Sequence, residues 1–233
     1  CDQAGECGLQ DYYMSVGLYT SRVKEDKQHK EKRLPIGEHV LLDQERCILC
    51  TRCTRFVDTV TKTHELGIFS RGEHAVLAPY PGMTVDNGYS GNLVDICPVG
   101  ALTDRDFRFK VRAWYLKSTP SLCSGCSRGC AIELHANTRL WHTGGERVAR
   151  YKPRFNPLVN GYWICDEGRY GYSMHNAERL SRLRRKNAGG YEQLEWDAAL
   201  AALAGELKAG LSARGAAGLG LVLSGTLSNE DFF

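Results

Sequence analysis

The sequence predicts an α+β fold, with small cysteine-clamped domains followed by the opening of a larger α/β domain. Three observations predict it. Six of the ten cysteines fall in two tight groups, at gaps of two and three residues. Short segments of alternating apolar and polar residues lie between and after these groups, as strands of small sheets do. The C-terminal stretch runs from a helical pattern into an apolar, strand-like run, the order of an α/β unit.

The elements follow in chain order. Residues 1–46 are polar and loop-rich, with an aromatic patch at Tyr12-Tyr13-Met14 and a short strand expected at 39–42. A tight cysteine loop opens at Cys47. Ser118-Thr119-Pro120-Ser121 predicts a turn and a domain boundary, because Ser, Thr and Pro favour turns. Alternation at 131–136 and 147–150 predicts two short strands. A basic, Gly-containing linker is expected at 182–190, an amphipathic helix at 196–211 and a buried strand at 217–224.

Length and charge exclude several classes. The 233 residues suffice for one or two modest domains. The net charge of +3 is too small to argue for a nucleic-acid partner. The basic residues also alternate with acids, as in Lys24-Glu25-Asp26-Lys27, which cancels the field that a phosphate backbone would need. No apolar run approaches the roughly 20 residues needed to span a bilayer, so membrane association is expected only through a partner. The chain opens on Cys1-Asp2-Gln3 without the basic start and apolar core of a signal peptide. Starting on a cysteine and stopping just after an apolar run, it reads as a fragment of something longer.

A secreted disulfide framework would spread cysteines through a short chain. Here thiols are brought together on single loops, which favours metal binding in a reducing compartment. Cys47-Ile48-Leu49-Cys50-Thr51-Arg52-Cys53 has Cys-x2-Cys-x2-Cys spacing. Three thiolates from one such loop can hold three corners of an iron–sulfur cubane, and a remote cysteine followed by proline supplies the fourth. Cys97-Pro98 fits that description. The alternative is a structural zinc site, which usually comes as two separated Cys-x2-Cys pairs. Arg46, Arg52 and Arg55 flank the loop. They are either solvated or ion-paired surface residues, or groups that offset a cluster's negative charge.

The second set is Cys123, Cys126 and Cys130, at Cys-x2-Cys-x3-Cys spacing, with Cys165 on a later turn. Gly125 and Gly129 are expected to supply the positive-φ turns of the loop. A zinc ribbon is again the alternative; His135 and His142 lie nearby but read as surface or hydrogen-bonded residues. Cys1 and Cys7 cannot fill a four-ligand site alone. They read as free thiols, a redox pair, or half of a third site.

The order of these sets resembles the large iron–sulfur subunit of respiratory complex I, the NADH–quinone oxidoreductase. The resemblance rests on Cys1–Cys7 followed by Leu9-Gln10, on Arg46-Cys47-x2-Cys50-x-Arg52-Cys53, on Ser90-Gly91-Asn92-Leu93-Val94-Asp95-Ile96-Cys97-Pro98-Val99-Gly100-Ala101-Leu102, and on residues 107–114. It implies two intact [4Fe–4S] clusters, on Cys47, Cys50, Cys53 and Cys97 and on Cys123, Cys126, Cys130 and Cys165. It also implies that Cys1 and Cys7 are part of a third [4Fe–4S] site with one histidine and three cysteines, whose other ligands lie upstream.

The implied layout has four parts: the end of that third segment in residues 1–20, a ferredoxin-like domain at 21–117, a molybdopterin-oxidoreductase-type cluster domain at 118–180, and the start of a molybdopterin-oxidoreductase-like α/β domain at 191–233. The last part is carried by Trp196-Asp197-x-Ala199 and Ser228-Asn229-Glu230. Molybdenum relatives often place a lysine two residues after the last cysteine of this set. Glu167 stands there instead, so no molybdenum is expected. The implied function is electron transfer from a flavin and NADH-binding subunit, through the clusters, towards quinone-side iron–sulfur subunits, peripheral on the cytoplasmic side of a bacterial inner membrane. No catalytic residue and no Gly-rich dinucleotide loop is evident. The rival is a fragment of an NAD-linked molybdopterin enzyme such as a formate dehydrogenase α-subunit, but the additional Cys-x2-Cys-x2-Cys-x3-Cys-Pro set of such chains is missing here.

Overall fold

The computed structural model describes residues 1–233 except 18, 140, 142–144, 178–179, 226, 228–229 and 231–233. His142, Ser228 and Asn229 therefore lie outside the described residues. The chain forms two compact units, residues 1–176 and 177–233.

The first unit begins with helix α1 (Gly8–Val16), which has no buried residue. A loop was expected here, yet Leu9, Tyr12, Tyr13 and Val16 stand at i, i+3, i+4 and i+7, the spacing of one helical face. Strands β1 (Leu34–Pro35) and β2 (Val40–Leu42) follow. Val40 and Leu42 alternate inward and are fully buried, as the short strand expected here requires. Helix α2 (Arg52–Phe56) runs on into a π-turn at Val57–Thr61. Strands β3 (Leu66–Phe69) and β4 (Val76–Pro79) pair as an antiparallel hairpin. The short helix α3 (Asn92–Ile96) then leads through Cys97 to β5 (Leu102–Asp104).

Strands β1, β2 and β5 form one antiparallel sheet in that order. Its register matters for the site. Leu42 pairs with Leu102, so moving forward from 42 to 47 and backward from 102 to 97 covers equal lengths towards the same end of the sheet. Two cysteines fifty residues apart in sequence (97 − 47) thus meet at one edge. Val40, Leu42, Phe56, Val57, Leu66, Leu77, Leu93 and Leu102 form a shared core that includes Cys53 and Cys97. Burying each of these large side chains contributes about 1.5–3 kcal/mol.

The second sheet of this unit has the order β6 (Leu116–Leu122), β7 (Ala131–Asn137), β8 (Val148–Pro153). The turn expected at 118–121 is instead inside β6. Proline is tolerated there because β6 is an edge strand, so the missing N–H of Pro120 breaks no ladder. Helices α4 (Asp166–Tyr170) and α5 (Ser173–Asn176) close the unit. A second core gathers Cys123, Cys130, Ile132, Val148, Tyr151, Ile164 and Tyr172.

In the second unit, residues 182–190 are not a linker. They belong to a hairpin of β9 (Leu183–Asn187) and β10 (Gly190–Leu194). The basic residues 184–186 are exposed and leave the ladder intact, and Gly190 at φ +130° turns the chain. Helix α6 (Trp196–Arg214) includes the helix expected at 196–211. The strand expected at 217–224 does not form: Leu221 and Val222 are 78% and 97% exposed. A strand needs a neighbour to take its N–H and C=O groups, and among the described residues none is paired there.

Candidate metal centres

The first centre is built by two backbone devices. The turn Gln44–Arg46 is fixed by the buried Asp43, whose carboxylate accepts from Glu45 N–H at 3.2 Å and pairs with Arg46 at 2.8 Å. The following loop then curls through left-handed Leu49 (φ 53°) and Thr51 (φ 61°). Such a conformation costs about 1–3 kcal/mol per residue and persists where the surroundings enforce it. Here it turns Cys47, Cys50 and Cys53 towards one shared pocket. Cys97 closes the ring, and the apolar Ile68, Leu77, Val99, Ala101 and Leu102 line the rest.

All four sulfurs feel one another. Burial pushes the Cys53 thiol up to about 12, the backbone N–H of Thr54 opposes this, and the charges of Cys47, Cys97 and Cys50 add to it. Burial likewise raises Cys97, against backbone hydrogen bonds from Leu102, Val99 and Ala101 that favour its thiolate. Four thiolates crowded in an apolar pocket need a cation to compensate them. Among the described residues, however, no three His, Cys, Asp or Glu side chains converge on a single metal ion.

The three arginines occupy different places. Arg46 is engaged by Asp43. Arg52 lines the pocket rim, while Arg55 is exposed on α2.

The second centre sits at the tip of the β6–β7 hairpin. The pair Leu122–Ala131 closes the hairpin, and Cys123 N–H donates to Cys130 C=O at 2.8 Å, so residues 123–130 form a closed loop. Gly129 takes the expected positive φ of +60°. Gly125 does not, and a Cβ there would meet Cys123 Sγ at an ordinary van der Waals distance of 3.6 Å. The Asn160 side chain accepts from Ala131 N–H at 2.9 Å and donates to Trp163 C=O at 3.3 Å, which delivers Cys165 to the loop. Burial raises the Cys130 thiol, Arg128 lowers it, and Cys123, Cys165 and Cys126 raise it again, so these four also share one site. Gly168 forms a wall: a Cβ would lie 3.1 Å from Cys123 Sγ and 3.3 Å from Cys165 Sγ. His135 takes no part. It is buried among strands, its Nδ1 accepts from Arg150 at 3.0 Å, and burial lowers its pKa.

Cys1 and Cys7 lie against the segment that follows Cys97. Cys7 Sγ donates to Pro98 C=O at 3.8 Å, and Arg112 donates to Cys1 C=O at 2.7 Å. The loop between them is anchored by Glu6, which pairs with Arg150 and, at 3.3 Å, with Lys152. Sequence reasoning missed this anchor and the group formed by the buried Asn92, Asp166 and Arg169 with the half-buried Asp95. Their partners lie far along the chain, and isolated polar residues leave no periodic signal.

The fold and the thiol sets define an iron–sulfur protein with a ferredoxin-like domain. The family described as "NADH-quinone oxidoreductase subunit 3, ferredoxin-like domain" matches residues 37–103, the stretch that contains the first four-cysteine set. The chain is 40% identical over 235 aligned residues to the G-type subunit of NADH-quinone oxidoreductase from Streptomyces coelicolor, covering 100% of this chain and 26% of that protein. It is 36% identical to the G-type subunit from Rickettsia bellii, covering 89% and 29%. Against NADH-quinone oxidoreductase subunit 3 of Thermus thermophilus it is also 36% identical, covering 89% and 27%. This chain belongs to the family formed by these G-type and subunit 3 proteins of NADH-quinone oxidoreductase. It spans between a quarter and a third of the length of these relatives.

Proposed function

We propose that this chain is the part of an NADH-quinone oxidoreductase subunit that relays electrons between iron–sulfur clusters. The observation that carries this is the first centre: four cysteines at cubane spacing around one apolar pocket, inside the stretch that matches the ferredoxin-like family. Cys47, Cys50, Cys53 and Cys97 hold one [4Fe–4S] cluster. Cys123, Cys126, Cys130 and Cys165 hold a second, and Cys1 and Cys7 contribute to a third. Bound clusters supply one-electron redox chemistry. The chain's own residues ligate, exclude water and set the local charge; Arg46, Arg52 and Arg55 offset the negative charge of the first site.

The partners are the flavin and NADH-binding subunit on one side and quinone-side iron–sulfur subunits on the other, with no nucleic acid. The assembly sits peripherally on the cytoplasmic side of a bacterial inner membrane. Among the described residues no helix is long and apolar enough to cross a membrane, so attachment through these subunits accounts for membrane association. Residues 118–180 act as a molybdopterin-oxidoreductase-type cluster domain, and residues 191–233 open the α/β domain that follows it, without molybdenum.

Metal analysis tests the reading. Anaerobically reconstituted protein should be brown, with about eight iron atoms and matching sulfide in the two complete sites. Colourless protein holding stoichiometric zinc would overturn it.

A further inference from the structure

The two cysteine sets are joined by a buried polar lock. Asp166, the residue after Cys165, is 6% exposed. Its carboxylate does not turn towards its own site. It accepts from Ser90 N–H at 2.8 Å, from the Ser90 hydroxyl at 2.6 Å and from Gly91 N–H at 2.8 Å. These groups open α3, the helix that ends at Cys97. Asn92, fully buried, donates to Ile164 C=O at 2.7 Å and accepts from Ile164 N–H at 3.1 Å, one residue before Cys165. Arg169, 3% exposed and one turn beyond Cys165, pairs with Asp95, two residues before Cys97. Gly91 must lack a side chain, since a Cβ would stand 2.5 Å from Arg169 Cδ.

Each fourth ligand is thus held by residues that belong, in sequence, to the other set. A carboxylate that accepts three hydrogen bonds in a buried site fixes geometry strongly, because its desolvation is compensated only there. We propose that Asp166 and Arg169 are positioning residues that couple the two centres crosswise. Asp166 places Cys97 for the first centre, and the Asp95–Arg169 pair places Cys165 for the second. This rests on the two-cluster reading above. The closed 123–130 loop and Cys165 grip the α4 end of the lock, so occupation of the second centre stiffens the segment that presents Cys97.

The test is iron release to a ferrous chelator from the full-length, reconstituted subunit. Low-temperature paramagnetic spectra assign each signal by loss in Cys97→Ser or Cys126→Ser. Iron and sulfide in the unsubstituted protein check the cluster reading separately. In Asp166→Asn, the Cys97 centre should release iron about tenfold faster and show shifted g-values, while the adjacent Cys165 centre keeps both. In Asp95→Asn the order should reverse. The exposed Glu167→Gln, which removes the same charge one residue further on, should match wild type. If Asp166→Asn fails to accumulate, Ser90→Ala decides, with an expected acceleration of about threefold at the Cys97 centre alone. For Asp166→Asn and Asp95→Asn, an effect confined to the centre nearest the substitution, an equal effect on both, or no effect would overturn the proposal, as would a Ser90→Ala variant that leaves the Cys97 centre unchanged or disturbs both centres equally.

Discussion

Cys7 Sγ donates to the carbonyl oxygen of Pro98, 91 positions away, at 3.8 Å. Pro98 directly follows Cys97, so one short segment serves two sets of cysteines. It turns the Cys97 sulfur into the first pocket and its backbone towards Cys1 and Cys7. Gly100 completes the arrangement, since a Cβ there would fall 2.0 Å from Cys1 Sγ.

Gly168→Ala should empty the second centre selectively. The added methyl would press on Cys123 Sγ and Cys165 Sγ, at 3.1 and 3.3 Å, and neither sulfur can retreat once bound to iron. We expect loss of the second paramagnetic signal and about half of the iron, with the first signal retained. Full iron content in this variant would show that the loop tolerates the methyl.

Cys97→Ser should abolish the first signal and leave the second, and Cys126→Ser should do the reverse. In the assembled complex, Cys97→Ser should stop NADH-driven quinone reduction, whereas Cys126→Ser should lower assembly more than turnover. Parallel measurement of assembled complex and rate per complex separates the two effects.

Arg150→Gln should destabilise the first unit in a pH-dependent way. Burial alone would raise the Glu6 carboxyl, but Arg150 and Lys152 outweigh it and hold it below its ordinary 4.5. A depressed carboxyl contributes stability that is present above 4.5 and is lost as pH falls through its lowered value. The variant should therefore cost about 1–3 kcal/mol near neutral pH, and the gap from wild type should narrow as pH falls below 4.5 and through the lowered Glu6 value. Denaturant unfolding at several pH values measures this; a gap independent of pH would remove Glu6 from the account.

Phe56→Ala should cost about 3–5 kcal/mol, because Phe56 is 2% exposed and its ring meets the edge of Trp163 at 4.8 Å. The cavity would lie beside Cys53, so the first signal should broaden before the second. Unfolding curves with spectra recorded in parallel check both parts.

Because the proposed reading places NADH on a separate flavin-binding subunit, the chain alone should not oxidise NADH but should accept electrons from a strong artificial reductant. Stopped-flow absorbance with each donor in turn distinguishes these outcomes.

The cysteine sets were legible because close spacing reports a local loop, and Cys97 was legible because a proline follows it. The strands expected at 131–136 and 147–150 were legible from alternation and form over 131–137 and 148–153, and the short strand expected at 39–42 forms over 40–42. Helix α1 was obscured by an exposed aromatic run read as a patch, although its spacing was helical. The strand expected at 217–224 failed for the opposite reason: apolar composition marks a tendency, and the neighbour that would realise it is not in the described chain. The lock of Asn92, Asp95, Asp166 and Arg169 gave no local sign, because its bonds bridge 72 to 77 positions. Only three-dimensional closure shows that Asp166 belongs with Ser90.

The β2–β5 register also says where related chains can differ in length. Residues 71–74, at the exposed tip between β3 and β4, touch neither pocket, so added residues there would lengthen the chain without moving a sulfur. The intervals 43–46 and 98–101 have no such freedom. Each spans the distance from a paired strand residue to a cysteine, with Asp43 N–H bonded to Ala101 C=O at 2.8 Å between them. A single inserted residue in either interval would shift one ligand and not its opposite number. Across the family, insertions and deletions should therefore collect at the hairpin tip and be absent from these two four-residue rulers.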